Sequence, residues 1–291
     1  MLASVIIPTY KGAKFVPNVL KSLANQSFMD FELVIVVKPS GDGTENIVRD
    51  MCSRFDLHHR ILIQDKGYFT HALNMGLKHA KGDLLLFTDD DAILPRNWIV
   101  EHINSHFKFR KSGAISGRII RFEPSRRIRF IQSFMSFFGI KEKPKREELT
   151  AGLDRMLRWR LLRPVFARPH PVFRNYRLGI YITHNFTVAA GPYIPYRFCL
   201  SLPVGGPNMS FKREAAKYAS FPEQPMMKTA PYNEHYFGAQ LVLQGWESIY
   251  CPNITVYHMQ REGLSKSTTE LERRLSSLLL KKLINEYCGK A

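Results

Sequence analysis

The chain has 291 residues, of which 45% are hydrophobic and 23% are charged, and this ordinary globular composition excludes a disordered or fibrous protein. Four scattered cysteines without CxxC spacing argue against a zinc site and a disulfide framework. The net charge of +17 indicates a polyanionic partner, although no sequence pattern of a nucleic-acid-binding module accompanies it, which makes nucleic acid an unfavoured partner. No leader pattern and no apolar run of roughly 20 residues is visible, so we expect a cytoplasmic protein.

The first hundred residues alternate short β-branched apolar runs with helical patterns, which predicts βαβ units in an α/β fold with a mostly parallel sheet. The strands are predicted at 4–10, 31–37, 60–64 and 83–88, and the helices at 14–26, 44–55 and 69–80. Ligands bind at the carboxyl ends of parallel strands. One crevice should therefore collect the residues at these ends, namely Tyr10, Lys38, Asp65 and Asp89.

The pattern changes after residue 117 into a basic, aromatic and proline-rich stretch, and residues 118–177 alone carry a net charge of +11. Ordinary α/β patterning resumes at 203, with a helix at 234–244 and strands at 248–251 and 254–258, and an amphipathic helix follows at 268–287. The predicted organisation is a first core half at 1–117, an insertion at 118–202, a second core half at 203–265 and a C-terminal helix at 266–291.

Three consecutive carboxylates, Asp89, Asp90 and Asp91, follow the fourth predicted strand. Adjacent negative charges are unfavourable unless a positive charge lies among them. Because alternate residues of an extended segment face the same way, Asp89 and Asp91 should point together into the crevice, and hard oxygen ligands suit Mg²⁺ or Mn²⁺. The alternative is a solvated turn that caps the helix starting near Pro95, which explains one aspartate and not three.

Nine short motifs follow one another along the chain. They are SVIIPTY at 4–10, QDKG at 64–67, ALNMG at 72–76, AKGD at 80–83, FTDDD at 87–91, GPNMSFKR at 206–213, NE at 233–234, GW at 245–246 and VYH at 256–258. In this order they resemble the opening strand, the loop and helix after the third strand, the D-x-D strand, the acceptor-side segment and the late E-D, G-y and V-x-H motifs of family 2 glycosyltransferases with the GT-A fold.

The resemblance implies a metal-dependent, inverting transfer of a sugar from a nucleoside diphosphate sugar to an acceptor hydroxyl. The first core half would bind the donor, the second would face the acceptor, and Asp89, Asp91 and His258 would hold the metal. A late histidine at a strand end is also compatible with an ordinary hydrogen-bonding role. The implied donor contacts are Pro8, Thr9, Tyr10, Lys38, Asp65, Asp89 and Asp90.

Two departures from the family pattern leave the donor base open. Lys38 stands where the family has the aspartate that accepts from uracil, and Leu73 stands where it has an arginine. Asp65 is a substitute acceptor. A transferase core that has lost turnover and now binds membranes or nucleic acid is the alternative function.

The implied general base is Glu234, which aligns with the second acid of the family's pair when the count starts from Gly245. Moving the gap by one residue places His235 on the base instead, and imidazole is competent near neutral pH. Glu234 as an ordinary helix-start residue is the third interpretation.

The insertion is predicted to meet an anionic membrane surface, which would suit a polyprenyl or other lipid-linked acceptor as well as a saccharide. Residues 126–140 place apolar side chains on one helical face with three arginines near the start, a composition typical of an interfacial helix. Basic residues around Trp159 would add to the attraction. Packing of these aromatics onto the core is the alternative. The apolar face comprises Phe130, Ile131, Phe134, Met135 and Phe138.

Overall fold

The computed structural model describes residues 2–122, 167–259 and 267–289. The strands within these ranges are β1 (Ala3–Tyr10), β2 (Phe31–Lys38), β3 (His59–Ile63), β4 (Leu84–Phe87), β5 (Ala92–Ile93), β6 (Ser112–Phe122), β7 (Ile180–Ile182), β8 (Val188–Ala190), β9 (Cys199–Leu200), β10 (Met209–Lys212) and β11 (Glu247–Met259). The α-helices are α1 (Val16–Ala24), α2 (Thr44–Arg54), α3 (Phe69–His79), α4 (Trp98–Lys108), α5 (Arg213–Ala216), α6 (Asn233–Leu243) and α7 (Glu270–Cys288).

The central sheet has the strand order β3-β2-β1-β4-β10-β6-β11-β5, with β9 added beside β11. Strands β3, β2, β1 and β4 are parallel, β10 is antiparallel to both of its neighbours, and β6 and β11 are again parallel. This arrangement confirms the predicted α/β fold with a mostly parallel sheet. The carboxyl ends of β1, β2 and β4 lie at one edge of the sheet, where the sequence predicts a ligand-binding crevice.

Strand β11 differs from the prediction of two separate strands. It runs without interruption from Glu247 to Met259, and its register against β6 shifts between Cys251 and Thr255. Pro252 lies in that interval and cannot donate a ladder hydrogen bond, so the strand accommodates it as an irregularity instead of ending. Strand β6 likewise continues beyond 117, to Phe122. The predicted interfacial helix at 126–140 and the basic stretch around Trp159 lie outside the described residues.

Within the described ranges, three apolar clusters hold the layers together. The first packs α1, α2 and α4 on one face of the sheet, and the second packs α3, α5 and α6 on the other. A third joins segment 173–202 to α6, β11 and α7, where Leu280 and Ile284 of α7 are fully covered. Helix α7 begins with a capping box in which Thr269 and Glu272 satisfy each other's backbone donors. None of the helices in the described ranges is long and apolar enough to span a bilayer.

Asn208 is the polar junction of this core. Its side-chain amide donates to the carbonyls of Arg118 and Ile254 at 2.9 and 3.0 Å, and its oxygen accepts from the Trp98 indole at 2.9 Å. The oxygen also lies 3.1 Å from the ring of His102. Burial lowers the pKa of His102 to about 4, so this histidine is neutral at pH 7. One buried side chain therefore ties β6, β11 and α4 together.

We expect Asn208→Ala to lower the free energy of unfolding by about 3 kcal/mol, because it leaves two buried carbonyls and a buried indole without partners. Denaturant unfolding followed by circular dichroism measures this loss. Asn104→Ala, on the exposed face of α4, is the matched control and should change stability by less than about 0.5 kcal/mol. Equal effects of the two substitutions would contradict the junction role.

Candidate active site

Two carboxylates and an imidazole meet at the carboxyl end of β4. The His258 Nε2 atom lies 3.2 Å from the Asp89 Oδ2 atom and 3.0 Å from the Asp91 Oδ1 atom. One ligand atom from each of the three residues falls within 4.8 Å of the other two. The antiparallel pairing of β5 with β11 produces this meeting, because it sets His258 opposite Ala92, the residue after Asp91.

The cluster strongly favours a positive charge at its centre. Burial of His258 opposes protonation, but hydrogen bonds and charge attraction from Asp89 and Asp91 outweigh it and raise the pKa of the imidazole to about 10. The Asp91 side chain is only 4% exposed, so its charge is poorly screened by water. Two carboxylates and one imidazole suit Mn²⁺ or Mg²⁺, and the residues present therefore fit a divalent metal.

Asp90 faces away from this cluster, as the alternation along an extended segment predicts. The Thr9 hydroxyl donates to the Asp90 Oδ2 atom at 2.6 Å, and both side chains are buried. Gly12 leaves the space for this contact, since a Cβ atom there would lie 2.2 Å from Thr9 and 2.5 Å from Asp90. The middle carboxylate thus joins the end of β1 to the end of β4.

A tyrosine and a lysine occupy the neighbouring strand ends, and a second tyrosine lies at the start of α3. Tyr10 and Lys38 are register partners at the ends of β1 and β2. The Lys38 ammonium donates to the Gly67 carbonyl at 2.7 Å and lies 5.9 Å and 5.3 Å from the ring centroids of Tyr10 and Tyr68. This part of the crevice therefore combines a cation with aromatic surfaces.

Glu234 and His235 lie in the first turn of α6 and differ in exposure. The Glu234 side chain is 17% exposed and that of His235 is 8% exposed, with 3.7 Å between the carboxylate Oε1 and the imidazole Nδ1. Burial lowers the pKa of His235, against the attraction of Glu234. Of the two, Glu234 has the side chain that is better able to meet an acceptor.

The backbone before Glu234 is strained. Ala230 and Tyr232 have φ angles of 43° and 66°, in the left-handed region that costs about 1–3 kcal/mol for a non-glycine residue. The Asn233 side-chain oxygen is buried and has no hydrogen-bond partner among the described residues. Strain and unsatisfied polar atoms of this kind concentrate at functional sites.

Contacts through segment 203–208 connect α6 to the carboxylate cluster. A Cβ atom at Gly238 of α6 would meet Pro203 at 2.3 Å, which shows how closely the helix packs on the start of this segment. A Cβ atom at Gly206 would lie 3.8 Å from the Asp89 Oδ1 atom. The segment therefore borders both Glu234's helix and the candidate metal ligands.

The family model for glycosyl transferase family 2 matches residues 4–174, which is more than half of the chain. The chain belongs to glycosyl transferase family 2. An uncharacterised glycosyltransferase of Bacillus subtilis is 32% identical over 107 residues, which cover 36% of this chain and 27% of that protein. The poly(ribitol-phosphate) β-N-acetylglucosaminyltransferase TarS of Staphylococcus aureus is 38% identical over 93 residues, or 31% of this chain and 16% of TarS.

Solved glycosyltransferases share the fold over nearly the whole chain. Residues 1–349 of TarS in complex with UDP-GlcNAc superpose with a TM-score of 0.59 at 19% identity, covering 99% of this chain and 73% of that one. A mannosyltransferase of Pyrobaculum calidifontis in complex with GDP-Man and Mn²⁺ gives a TM-score of 0.57 at 17% identity, with coverages of 97% and 69%. These likenesses confirm the GT-A fold.

The remaining residues that the sequence relates to the family's donor site differ in how far they are buried. Pro8 is buried inside β1 beside Val36 of β2, so it shapes the strand end from within the sheet. Asp65 is exposed in the loop between β3 and α3. Leu73 is 2% exposed in the second apolar cluster, which means that position 73 faces the core and not the crevice.

Three residues near the donor end were missed by sequence reasoning. They are Tyr68, His71 and Glu223. Tyr68 lies beside Lys38, and the Glu223 carboxylate accepts from Asn74 and contacts His71. No sequence motif includes Glu223. Asn74 belongs to the ALNMG motif, but its hydrogen-bond partner Glu223 is 149 residues away in sequence. Only the three-dimensional fold brings these groups together.

Proposed function

We propose that the chain is a metal-dependent, inverting glycosyltransferase that moves a sugar from a nucleoside diphosphate sugar to an acceptor hydroxyl. The observation that carries this proposal is the cluster of Asp89, Asp91 and His258 at the carboxyl end of β4 in a family 2 GT-A fold. The intact cluster favours turnover over a core that has become only a membrane- or nucleic-acid-binding module.

Asp89, Asp91 and His258 would hold Mn²⁺ or Mg²⁺. A divalent metal there would offset the negative charge of the departing diphosphate. Asp90 keeps the end of β4 joined to Thr9 of β1 and thereby fixes the direction of its two neighbours. Tyr10, Lys38 and Asp65 would contact the nucleoside at the adjacent strand ends, and Pro8 would shape that surface.

Glu234 would act as the general base that takes the proton from the acceptor hydroxyl. Its partial exposure, its position beside a strained turn and the packing of its helix on segment 203–208 support this role over His235. Attack of the freed oxygen on the anomeric carbon from the side opposite the diphosphate inverts the configuration at that carbon. The bond to the diphosphate breaks as the new glycosidic bond forms.

The donors of the structural neighbours support a nucleoside diphosphate sugar as substrate. TarS was solved with UDP-GlcNAc and the Pyrobaculum mannosyltransferase with GDP-Man and Mn²⁺. Two different bases thus occur on one fold. The base of this chain's donor must follow from local side chains.

The acceptor is proposed to be a saccharide carried on a lipid such as a polyprenyl phosphate, reached at an anionic membrane surface. The support is compositional, because residues 118–177 carry a net charge of +11 and the sequence at 126–140 has the amphipathic pattern of an interfacial helix. We propose that the protein acts peripherally on the cytoplasmic face of the membrane.

We expect Asp91→Asn to abolish Mn²⁺-dependent donor binding while the protein stays folded, because the substitution removes one anionic ligand. Thermal-shift titrations with UDP-GlcNAc and GDP-Man, with Mn²⁺ and with excess chelator, measure this effect. Asp50→Asn, on the exposed face of α2, is the matched control and should bind donor as the wild type does. Chelator-resistant binding of donor by Asp91→Asn would disprove the metal role.

We expect Glu234→Gln to leave donor affinity unchanged and to lower kcat by about 100-fold or more, because it removes only proton transfer in the transition state. Release of nucleoside diphosphate, with a panel of acceptors, measures the rate. His235→Gln should retain most activity once its stability has been checked. The reverse ranking of the two variants would move the base to His235.

We expect the protein to float with anionic vesicles at low salt and to be released at high salt, because basic side chains near anionic lipid contribute about 1 kcal/mol each. Vesicle flotation with neutral lipid is the control and should leave the protein in solution. A variant with Phe130, Phe134 and Phe138 changed to Ser tests the apolar part. Flotation that is absent, or unchanged in this variant, would rule out the membrane assignment.

A further inference from the structure

A cavity of about 690 Å³ opens beside the carboxyl end of β2. Lys38, Gly67, Tyr68, His71 and Glu223 are among the residues that line it. It continues the donor end of the crevice, where a nucleoside would lie if the proposed function is correct. The base that this cavity accepts depends on its lining side chains, and its assignment rests on the proposed function.

The Lys38 side supplies hydrogen-bond donors. An ammonium group has three protons, and Lys38 gives one to the Gly67 carbonyl at 2.7 Å. The bond to Gly67 and the rings of Tyr10 and Tyr68 hold the ammonium at the rim of the cavity. Two protons remain for a ligand, so this side matches a base that presents adjacent acceptor atoms.

The Glu223 side supplies hydrogen-bond acceptors. One carboxylate oxygen accepts from the Asn74 amide at 2.6 Å, and the other lies 2.9 Å from the His71 Nδ1 atom. Partial burial opposes ionisation of Glu223, but these two hydrogen bonds outweigh it and lower the pKa of the carboxyl. Each oxygen keeps a lone pair, because a carboxylate offers about four acceptor sites. This side matches a base with two adjacent N–H donors.

Guanine is the base whose edges fit both sides. Its N7 and O6 atoms are neighbouring acceptors that a lysine can contact together, and its N1–H and N2 amino group are neighbouring donors that suit one carboxylate. Uracil has a single N–H between two carbonyls, and adenine sets a donor next to N7. We propose that this cavity binds the guanine of a guanosine diphosphate sugar, with Lys38 on O6 and N7 and Glu223 on N1–H and N2.

Isothermal titration calorimetry with nucleoside diphosphates and Mn²⁺ tests the proposal on the whole chain. GDP should bind about 10-fold or more tightly than UDP. Removing single atoms from the base should cost affinity in the wild type, where 7-deaza-GDP lacks N7 and IDP lacks the N2 amino group. In Lys38→Met, 7-deaza-GDP should bind as tightly as GDP does, because the partner of N7 is gone. In Glu223→Gln, IDP should likewise bind as tightly as GDP, as in a double-mutant cycle.

Matched controls separate local chemistry from general charge effects. The Lys108 ammonium also lies near two rings, 5.3 Å and 5.2 Å from the centroids of Phe109 and Phe198, so Lys108→Met is the control for Lys38→Met. Glu45→Gln, which removes an exposed ion pair with Arg49, is the control for Glu223→Gln. Both controls should keep the wild-type penalties.

The outcomes distinguish this inference from the proposed function. UDP that binds as tightly as GDP, or wild-type penalties for 7-deaza-GDP and IDP below about 2-fold, would overturn the guanine assignment and leave the transferase proposal intact. Binding of neither diphosphate with Mn²⁺ would overturn both. The wild-type comparison of GDP, 7-deaza-GDP and IDP decides the matter even if a variant fails to fold.

Discussion

Repulsion among three consecutive carboxylates is the constraint on which the active-site half of this molecule depends. The fold resolves it by sending Asp90 one way, to the hydroxyl of Thr9, and Asp89 and Asp91 the other way, to His258. The second direction requires β5 to pair with the end of β11, and Asn208 fastens β11 to β6 and α4. The packing at the centre of the sheet therefore also determines how the charged side chains at its edge meet.

The parallel part of the fold was predictable because local patterning determines it. Apolar runs and helical spacing in residues 1–88 gave strands and helices whose ends agree with the structure within about three residues, the usual uncertainty of boundaries. The position of β10 was not predictable. It lies between β4 and β6 and pairs with both of them across about 90 to 130 residues of sequence, and no local period encodes such a pairing. The continuity of β11 was hidden by Pro252, which resembles a strand end in sequence.

Of the candidate site, the sequence identified the groups that lie on motifs and missed those that meet through the fold. Alternation along a strand end predicted that Asp89 and Asp91 would share a direction. The contact of His71 with Glu223 spans 152 residues and had no sequence signal. Leu73 is a residue of a motif that the structure places away from the site. Its departure from the family's arginine was one of the two changes that left the donor base open, whereas the side chain at this position packs into the core between α3 and the sheet.

The turn before α6 combines backbone strain, which lowers stability, with the candidate general base. Ala230 and Tyr232 have left-handed backbone conformations, and Asn233 has a buried oxygen without a partner among the described residues. These features lower the stability of the fold, and apolar packing alone does not explain why they are kept. The helix behind them is held firmly, because Gly238 lets it approach Pro203 and Phe237 stacks on Phe221 with ring centroids 4.5 Å apart. A strained turn on a rigid helix is suited to presenting one side chain in a fixed direction. Of the two candidate bases in that turn, Glu234 is the one whose side chain is not buried, and this is the physical basis for assigning it the proton.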